Sequence, residues 1–458
     1  MVKIKDETHF VPASGTPLPI FQRELEDGGR AFYAPGYLVV VDKAHAFQPE
    51  LNQPAPAFAH LHTHAHKALI QWKALAERPF LPLCLTLYLN NECNLHCAYC
   101  FSMPQPHTAP RLEREAIRAG AEIVARNCEE QGRALTVVFH GGGEPTLHQN
   151  ELETALSTVE QIAATHGIPI FRYLATNGVM PEQRARWIGA HVDLIGISCD
   201  GTPEIQGAQR PLRGGASSAP YLERTAQIIR EAGKPLHVRV TLTPGTFLSQ
   251  AEIAAYVCRV LRPSEIHVEP VYGVGRGAHM EESWHPEDAD RFVAAFEEGR
   301  AVAARYGIVW RTSGVRMGEI HGPYCHIFRD VLNLIPGGAT TACFCASDAD
   351  TVTTRHTAIG HWQPGTVFPL DRDHIRHMQQ VVSSPQGACE RCFNRFHCTR
   401  GCPEVCPWDG AMQAVETTFR CRVARALANT QLTAEIATLQ NSSDYYLLGI
   451  AAKEIQTL

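Results

Sequence analysis

Three cysteines stand close together in the run Cys93-Asn-Leu-His-Cys97-Ala-Tyr-Cys100. Gaps of three and then two residues let the three thiolates converge from a single loop. Four-iron clusters are usually held by four cysteines, so a loop with three would leave one iron open. A small chelating molecule needs such an open iron to bind the metal directly. The pattern therefore indicates catalysis at iron rather than electron storage alone.

Polar motifs follow three later apolar runs of the chain. The first is Phe139-His140-Gly141-Gly142-Gly143-Glu144-Pro145, where glycines permit close backbone approach and Glu144 offers a carboxylate to an ammonium group. The second is Thr176-Asn177-Gly178 and the third is Ser198-Cys199-Asp200-Gly201. Each motif by itself is also typical of an ordinary turn or cap. Their chemistry suits a ligand with amino, hydroxyl and carboxylate groups.

The chain has 16 cysteines. The cytosol keeps thiols reduced, so metal ligation explains this number better than disulfides do. Four cysteines lie in apolar stretches and are expected to be buried hydrophobic residues, namely Cys84, Cys128, Cys199 and Cys258. The C-terminal third holds a second cluster, made of Cys325, Cys343, Cys389, Cys392, Cys398, Cys402 and Cys421. A zinc site is the alternative for either cluster.

Composition limits the class of protein. With 458 residues, 45% hydrophobic and 19% charged, the chain can bury a large core and divide into more than one domain. A net charge of −6, without a long basic run, gives no reason to expect nucleic acid as a partner. The sequence has no signal peptide and no apolar segment of membrane-spanning length. We therefore expect a cytoplasmic protein.

Between residues 82 and 270, short apolar runs alternate with longer helical patterns. Strands are predicted at 83–89, 135–140, 168–175, 192–198, 236–242 and 266–269. Helices are predicted at 112–130, 151–165, 181–189, 220–232 and 249–261. This order is typical of an α/β fold with a parallel sheet and right-handed crossovers. Ligands of parallel barrels bind at the carboxyl ends of the strands, and the motifs above follow predicted strands.

The cysteine run resembles the signature of the radical S-adenosylmethionine (SAM) enzymes. The resemblance implies a partial (β/α)6 barrel, open on one side. It also implies a [4Fe-4S] cluster held by the catalytic residues Cys93, Cys97 and Cys100, with the methionine moiety of SAM on the free iron. One electron from this cluster would cleave SAM to methionine and a 5′-deoxyadenosyl radical. The radical would then abstract a hydrogen atom from an unactivated carbon of the substrate.

The same resemblance implies contacts between SAM and the strand ends. Glu144, with the glycines before it, matches the family's GGEP motif, which holds the amino group. Arg210 suits the methionine carboxylate because its planar fork donates hydrogen bonds in pairs, although pairing with a local acid is the alternative. The full set implied to bind SAM is Tyr99, Gly142, Gly143, Glu144, Thr176, Ser198 and Arg210.

The C-terminal cysteines resemble the SPASM domain, which follows the barrel in peptide- and protein-modifying enzymes. Those domains usually carry two auxiliary iron-sulfur clusters, which we expect to be [4Fe-4S]. The family's ligation implies one set of Cys389, Cys392, Cys398 and Cys421 and a second set of Cys325, Cys343 and Cys402. Sulfatase-maturing relatives have a further cysteine where this chain has Val331. Either Cys345 is the fourth ligand, or that cluster keeps an open iron for a substrate group.

The predicted organisation has five parts. These are an N-terminal accessory segment (1–80), the barrel (81–270), a bridging segment (271–320) with a helix near 286–305, the SPASM domain (321–425) and a C-terminal helix (426–458). In the accessory segment, 30–41 is predicted as a hairpin and 67–77 as a helix. His60, His62, His64 and His66 alternate as if on one strand face, which indicates a solvated polar stretch rather than a metal site.

The substrate is predicted from one departure from the family pattern. Sulfatase-maturing enzymes have an aspartate base directly after the cysteine that matches Cys343, whereas this chain has Phe344. We therefore expect a maturase of a ribosomally synthesised precursor peptide that forms a carbon-carbon, ether or thioether cross-link. The auxiliary clusters would accept the electron left after product formation, or bind the substrate. A flavodoxin or ferredoxin would supply the reducing electron.

Several alternatives stay open at this point. Within the superfamily they are a protein-modifying maturase, a small-molecule dehydrogenase and a peptide epimerase, for which Cys345 or Cys406 would return the hydrogen atom. Outside it, an iron-sulfur electron-transfer protein would leave Glu144 and the glycines before it unexplained.

Overall fold

Strands and helices alternate through the centre of the chain. A computed structural model describes residues 10–14, 16–43, 56–103, 110–281, 283–321, 329–346, 357–365, 368–383, 387–398, 418–441 and 447–451. The strands are β1 (Val11–Pro12), β2 (Phe21–Glu24), β3 (Arg30–Ala34), β4 (Tyr37–Val41), β5 (Cys84–Leu87), β6 (Leu135–Phe139), β7 (Ile170–Thr176), β8 (Leu194–Ser198), β9 (Leu236–Leu242), β10 (Glu265–Pro270), β11 (Val309–Arg311), β12 (Val331–Leu334), β13 (Ala339–Thr341), β14 (Ala358–His361) and β15 (Leu447–Ala451). The helices are α1 (Pro56–Glu77), α2 (Arg114–Gln131), α3 (Gln149–Thr165), α4 (Glu182–His191), α5 (Pro203–Gln209), α6 (Ala219–Glu231), α7 (Gln250–Val260), α8 (Ala278–Glu281), α9 (Asp288–Arg305), α10 (Arg372–Ser383) and α11 (Phe419–Gln440). Within the described ranges, no helix is long and apolar enough to cross a membrane.

The six predicted strands are confirmed as β5 to β10, which pair in parallel and in chain order. Helices α2, α3, α4, α6 and α7 lie where the sequence predicted them, and α5 was not predicted. The predicted bridging helix is α9, and it leads into β11, which pairs in parallel with β10 as a further strand. The result is the expected partial barrel of an α/β protein.

Side chains alternate between the two faces of each strand, and the pairing registers show which residues share a face. On one face, under helices such as α6, the neighbours across β8 to β11 are all buried and apolar: Ile197, Val238, Ile266 and Trp310. We call the opposite face the inner face. Its neighbours across the same strands are polar: Ser198, Arg239, His267 and Arg311. Parallel barrels usually fill this face with apolar side chains, so its polarity indicates a cavity for a polar ligand.

The sheet continues beyond the barrel into the cysteine-rich region. β12 pairs in parallel with β5, and β13 and β14 follow antiparallel, which gives a sheet of ten strands. Val331, at the position where the family resemblance implies a further cysteine, is the first residue of β12 and pairs with Cys84. Cys343 lies two residues beyond β13. The C-terminal cysteine loop is therefore anchored to the same sheet as the barrel.

The accessory segment forms a separate antiparallel sheet of β1 to β4 together with β15. Its predicted hairpin is confirmed as β3 and β4. The prediction of a C-terminal helix is only partly right. Helix α11 is present, but residues Leu447–Ala451 form β15, antiparallel to β4. An apolar run of this length fits either structure, and the free edge of β4 decides for the strand.

The alternation of the histidines allowed a strand face, but the run lies in helix α1, whose second half is the helix predicted at 67–77. The deciding pattern is a set of buried residues at helical spacing, namely Phe58, Leu61, Ala65, Ala68 and Trp72. The imidazoles therefore do not share one face. The rings of His60 and His64 lie 5.9 and 5.0 Å from the ring of Tyr37 on β4. These two residues help to fix α1 on the N-terminal sheet.

The N-terminal sheet packs on the cysteine-rich region and on α11. The hydroxyl group of Tyr33 lies 2.7 Å from Nε2 of His397, whose Nδ1 lies 2.7 Å from the carbonyl oxygen of Glu319. Arg23 donates to the side chains of Asn429 and Thr433 on α11. These groups are largely buried, so removing one partner would leave the other without a hydrogen bond and would destabilise the fold.

We expect Tyr33→Phe to lower the free energy of unfolding by about 1–3 kcal/mol, because it leaves buried His397 without this hydrogen bond. Denaturant unfolding measures the change. The matched control is Tyr306→Phe, since Tyr306 is 51% exposed. Equal stability of the two variants would contradict the assigned role of the hydrogen bond.

Candidate active site

The loop with Cys93, Cys97 and Cys100 follows β5 and is held by backbone hydrogen bonds on one side. The amides of His96 and Ala98 donate to the carbonyls of Pro211 and Gln209, at 2.9 Å each. On another side, the amide of Arg276 donates to the Cys100 carbonyl at 3.0 Å. The loop is therefore positioned by the segments after β8 and β10, at the carboxyl ends of the barrel strands.

The sulfur of Cys93 accepts two hydrogen bonds. The Leu95 amide lies 3.4 Å and the Asn177 side-chain amide 3.7 Å from it. Burial raises the pKa of the Cys93 thiol to about 12 and that of Cys97 to about 11. Because iron binds thiolates, cluster assembly must release protons from these side chains.

The glycine motif after β6 contacts the chain itself, just before the cysteine loop. The amide of Gly143 donates to the Asn90 carbonyl at 2.9 Å, and that of Glu144 to the Glu92 carbonyl at 2.7 Å. A Cβ atom on Gly143 would lie 2.0 Å from the Glu92 carbonyl oxygen. Gly142 has φ +81°, which glycine adopts readily. Both glycines therefore fix the spacing between Glu144 and the cysteine loop.

Glu144 is buried and accepts hydrogen bonds at both carboxylate oxygens. Oε1 accepts from the Thr146 amide (3.1 Å) and hydroxyl (2.7 Å) and from the Thr176 hydroxyl (2.7 Å). Oε2 accepts from the Asn177 amide at 2.8 Å. Burial raises the pKa of Glu144, and these hydrogen bonds partly offset the effect. Since Oε2 accepts fewer bonds than Oε1, it is the oxygen that fits an ammonium group.

A second buried carboxylate, Asp200, joins residues that the sequence analysis treated separately. Its Oδ2 accepts from the hydroxyl of Tyr99, from Gln209 at 2.8 Å and from Nε of Arg210 at 3.0 Å. The Arg210 guanidinium also lies 5.2 Å from the Tyr99 ring centre. Arg210 is thus paired with a local acid, the alternative noted above. Because Asp200 binds Nε of Arg210, a contact of Arg210 with SAM would use the other nitrogens of the guanidinium group.

The loop after β13 meets the barrel beside the glycine motif. The Tyr88 hydroxyl donates to the Phe344 carbonyl, and the His140 ring lies 5.9 Å from the Tyr88 ring and 5.7 Å from the Phe344 ring. The amide of Cys345 lies 3.4 Å from the sulfur of Cys343. Residues 343–345 therefore lie close to the strand end that carries the glycine motif.

Of the other predicted cluster ligands, Cys389, Cys392, Cys398 and Cys421 are described. Cys421 lies in the first turn of α11, where Thr418 caps the helix by accepting from the Cys421 amide at 3.3 Å. The helix amino terminus favours a thiolate there. Cys325, Cys402 and Cys406 lie outside the described residues.

The inner face also carries a carboxylate–histidine pair that the sequence analysis missed. Oε1 of Glu269 lies 2.7 Å from Nε2 of His267, and it accepts from the Ser313 amide at 2.5 Å. Burial opposes ionisation of Glu269, but hydrogen bonds from His267 and Ser313 lower its pKa to about 2. Burial lowers the pKa of His267. The pair is therefore an ionised carboxylate beside a neutral imidazole.

Sequence signals existed for some of the residues that were missed. Asp200 stands before a glycine at the end of a strand, and Asn177 stands in the turn after β7. His140 directly precedes the three glycines. The charges on β9 and β10 alternate with buried apolar residues, which predicts a polar face but not its contents.

The donors present fit an iron-sulfur cluster with SAM. Cysteines are the usual ligands of such clusters, and Glu144 keeps an accepting oxygen for an ammonium group. Among the described residues, no three His, Cys, Asp or Glu side chains are placed to hold one metal ion. A four-iron cluster requires a wider arrangement, because each cysteine binds its own iron atom.

We expect Gly143→Ala to abolish SAM binding or to reduce it severely, because the added methyl group collides with the Glu92 backbone and shifts Glu144. Equilibrium dialysis with labelled SAM on the reconstituted enzyme measures the loss. Gly214→Ala is the matched control, since no atom lies within 4 Å of its added methyl group. Normal SAM affinity in the Gly143 variant would contradict the proposed spacing role.

Glu269 predicts a specific acid sensitivity. Its pKa is lowered from the ordinary value of 4.5 to about 2, so its contribution to stability is present above about pH 4.5 and is lost as the pH falls toward 2. We expect wild type to lose up to about 3 kcal/mol relative to Glu269→Gln over this interval. Denaturant unfolding at a series of pH values measures it. Parallel curves for the two proteins would contradict the assignment.

Comparison with known proteins supports this description of the barrel. Residues 87–257 match the model of the radical SAM superfamily. The chain is 26% identical over 336 residues to the mycofactocin maturase MftC of Mycobacterium ulcerans, which covers 70% of this chain and 83% of that protein. It is 26% identical over 160 residues to a cysteine-type anaerobic sulfatase-maturating enzyme of Clostridium perfringens, covering 34% of this chain and 43% of that protein.

The fold is also similar to solved structures. Histidine-tagged anSMEcpe with bound AdoMet superposes with a TM-score of 0.61 at 17% identity, covering 78% of this chain and 98% of that chain. Native anSMEcpe with bound AdoMet and Cp18Cys peptide gives a TM-score of 0.60 at 18% identity, covering 79% and 100%. The match to the family model spans the cysteine loop, the glycine motif and strands β6 to β9. Residues 87–257 of this chain therefore form a radical SAM domain.

Proposed function

We propose that this chain is a radical SAM maturase that modifies a ribosomally synthesised precursor peptide by oxidative cross-linking. The observation that carries the proposal is the clamped loop of Cys93, Cys97 and Cys100, held next to buried Glu144 through the Gly143 contact. A loop fixed in this way presents three thiolates and one carboxylate to the same ligand. This is the arrangement that an iron cluster with chelated SAM requires.

When bound, the cluster and SAM would supply a 5′-deoxyadenosyl radical. The residues of this chain would bind and orient the cofactor. Glu144 would accept from the ammonium group of SAM, and Thr176 would keep the Glu144 carboxylate in place through its 2.7 Å hydrogen bond. Asp200 holds both Tyr99 and Arg210. Tyr99 would lie near the adenine, and Arg210 would donate to the methionine carboxylate of SAM. Ser198, at the end of β8 on the inner face, would contact the ribose.

We also propose that the C-terminal region holds two auxiliary clusters. Cys389, Cys392, Cys398 and Cys421 would hold one, with Cys421 favoured as a thiolate by the helix amino terminus. Cys325, Cys343 and Cys402 would hold the other. Cys345 lies beside Cys343 and is its candidate fourth ligand. The contact of Phe344 with Tyr88 and His140 supports a cluster near the radical site.

The peptide substrate is supported by relatives named as a mycofactocin maturase and a sulfatase-maturating enzyme, and by the similar structure of anSMEcpe with a bound Cp18Cys peptide. Phe344 stands beside Cys343, where a base would be needed for formylglycine formation, and this favours a cross-link over that product. Two hydrogens would leave the peptide in such a reaction. The auxiliary clusters would take up the second electron, and a flavodoxin or ferredoxin would supply the first.

The test is the mass of a short peptide encoded beside this gene, after anaerobic incubation with the reconstituted enzyme, SAM and a reductant. Loss of two hydrogens together with 5′-deoxyadenosine supports the proposal, and fragmentation then locates the new bond. Gain of one deuterium from heavy water without that loss indicates an epimerase. The absence of SAM cleavage would favour an electron-transfer protein.

Cys97→Ala should abolish formation of 5′-deoxyadenosine, because it removes a ligand of the SAM-binding cluster. Chromatography of the reaction measures this product. Cys258→Ala is the matched control, because Cys258 is buried in α7 away from the cysteine loop. A Cys97 variant that still forms 5′-deoxyadenosine would refute the assignment of the cluster.

A further inference from the structure

Arg239 is a cationic residue of the inner face that has no role in the proposed binding of the cluster and SAM. Arg239 lies in the middle of β9, and its register partners are Ser198 on β8 and His267 on β10. Its neighbours along the strand, Val238 and Val240, are buried on the opposite face. The Arg239 side chain therefore projects from the centre of the sheet into the barrel.

Arg239 is exposed, although it belongs to a central strand. The interior of the barrel must therefore be open to water at this point. In the part of the chain that the structure describes, no hydrogen bond or ion pair reaches its guanidinium group. The nearby carboxylates bind other residues. Glu265 lies 2.6 Å from Arg311, and Glu269 is bound by His267 and Ser313.

The charge of Arg239 acts on groups from several strands. After burial, which is the larger cause, it lowers the pKa of His140 to about 4. It also contributes to the lowered pKa of His267. His140 ends β6 directly before the glycine motif, and His267 lies on β10. The guanidinium group is therefore within electrostatic range of both sides of the cavity, next to the proposed SAM site.

The cavity thus holds a guanidinium group without a direct partner, two neutral imidazoles and the carboxylate of Glu269, which His267 and Ser313 already bind. A guanidinium group that lacks a direct partner attracts an anion that can reach it. A guanidinium group donates paired hydrogen bonds that match a carboxylate, and a ligand that displaces water from the cavity makes such bonds stronger than at an open surface. A peptide carries carboxylates at acidic side chains and at its C-terminus, and either would fit.

We propose that Arg239 binds a carboxylate of the peptide substrate inside the barrel and so fixes the peptide beside the radical site. This inference rests on the proposed function. Arg239 acts here as a binding residue that determines which peptides are accepted. It takes no part in breaking bonds.

The experiment compares wild type, Arg239→Gln and Arg239→Lys on the peptide identified by the mass measurement. Three forms of that peptide are used: unchanged, with a C-terminal amide, and with Asp and Glu replaced by Asn and Gln. We expect Arg239→Gln to raise KM for the unchanged peptide about tenfold or more, with a smaller rise for Arg239→Lys. One altered peptide should give wild type a KM as high as the KM of Arg239→Gln for the unchanged peptide. The carboxylate removed in that peptide is the one that Arg239 binds.

The effects on KM of the Arg239→Gln substitution and of removing the peptide carboxylate must also be non-additive. Removing the identified carboxylate should cost wild type about tenfold or more and should cost Arg239→Gln nothing further. Additive losses would overturn the inference. So would weaker SAM binding by Arg239→Gln without peptide, because it would place the residue at SAM instead. Unchanged SAM binding and SAM cleavage also show that the variant is folded.

Arg259→Gln is the matched control, since Arg259 is exposed on α7, outside the barrel. It should behave as wild type with every peptide. If Arg239→Gln modifies the peptide as well as wild type does, the carboxylate site is overturned and the proposed function stands. Wild type that cleaves SAM but modifies no peptide overturns the proposed function and this inference with it.

Discussion

The pairing of β12 with β5 is the constraint on which the arrangement of this protein depends. Through it, the chain returns from α9 and β11 at one edge of the sheet to the strand at the other side of the barrel. The loop that begins at Cys343 is then held near the loop that contains Cys93. This strand pair adds main-chain hydrogen bonds to the contacts that Tyr88 and His140 make with Phe344 between the two cysteine regions. A hydrogen-bonded sheet fixes their separation more rigidly than those contacts alone.

Two buried carboxylates organise the carboxyl ends of the barrel strands. Glu144 gathers donors from the segments after β6 and β7, and Asp200 gathers donors from the cysteine loop, α5 and β9. Burying a carboxylate is costly unless hydrogen bonds compensate for lost water. Each site therefore requires its surrounding segments to be in place at once. This makes the geometry of the site a property of the whole barrel end rather than of separate loops.

The six barrel strands and five of its helices, all except α5, could be predicted to within two residues at each end, because their apolar periodicity is strong and continuous. Contacts between residues far apart in the sequence could not be predicted. Arg210 pairs with Asp200 because the turn after β8 folds back on itself, and no spacing rule states this. The histidine run has a period of two, but the apolar residues around it have a helical period and determine the structure. Local polar patterns are weaker guides than buried apolar ones.

The face alternation of the sheet explains why the inner residues escaped notice. In β9 and β10, every second residue is buried and apolar, which is what a half-exposed surface strand also shows. Only the closure of the sheet turns the other face inward. His267, Glu269 and Arg239 then become lining residues of a cavity. Their roles follow from curvature, which a single sequence does not reveal.

The pairing of β15 with β4 has a consequence for synthesis of the chain. The strand Tyr37–Val41 leaves the ribosome about 400 residues before Leu447–Ala451, a delay of roughly 20 to 80 s at about 5–20 residues per second. During this time one edge of the N-terminal sheet, which includes Val39 and Val40, lacks its partner strand. Such edges are templates for pairing with other chains. The last strand thus acts as an intramolecular cap on an early-made surface, and nascent chains depend on its arrival to become resistant to aggregation.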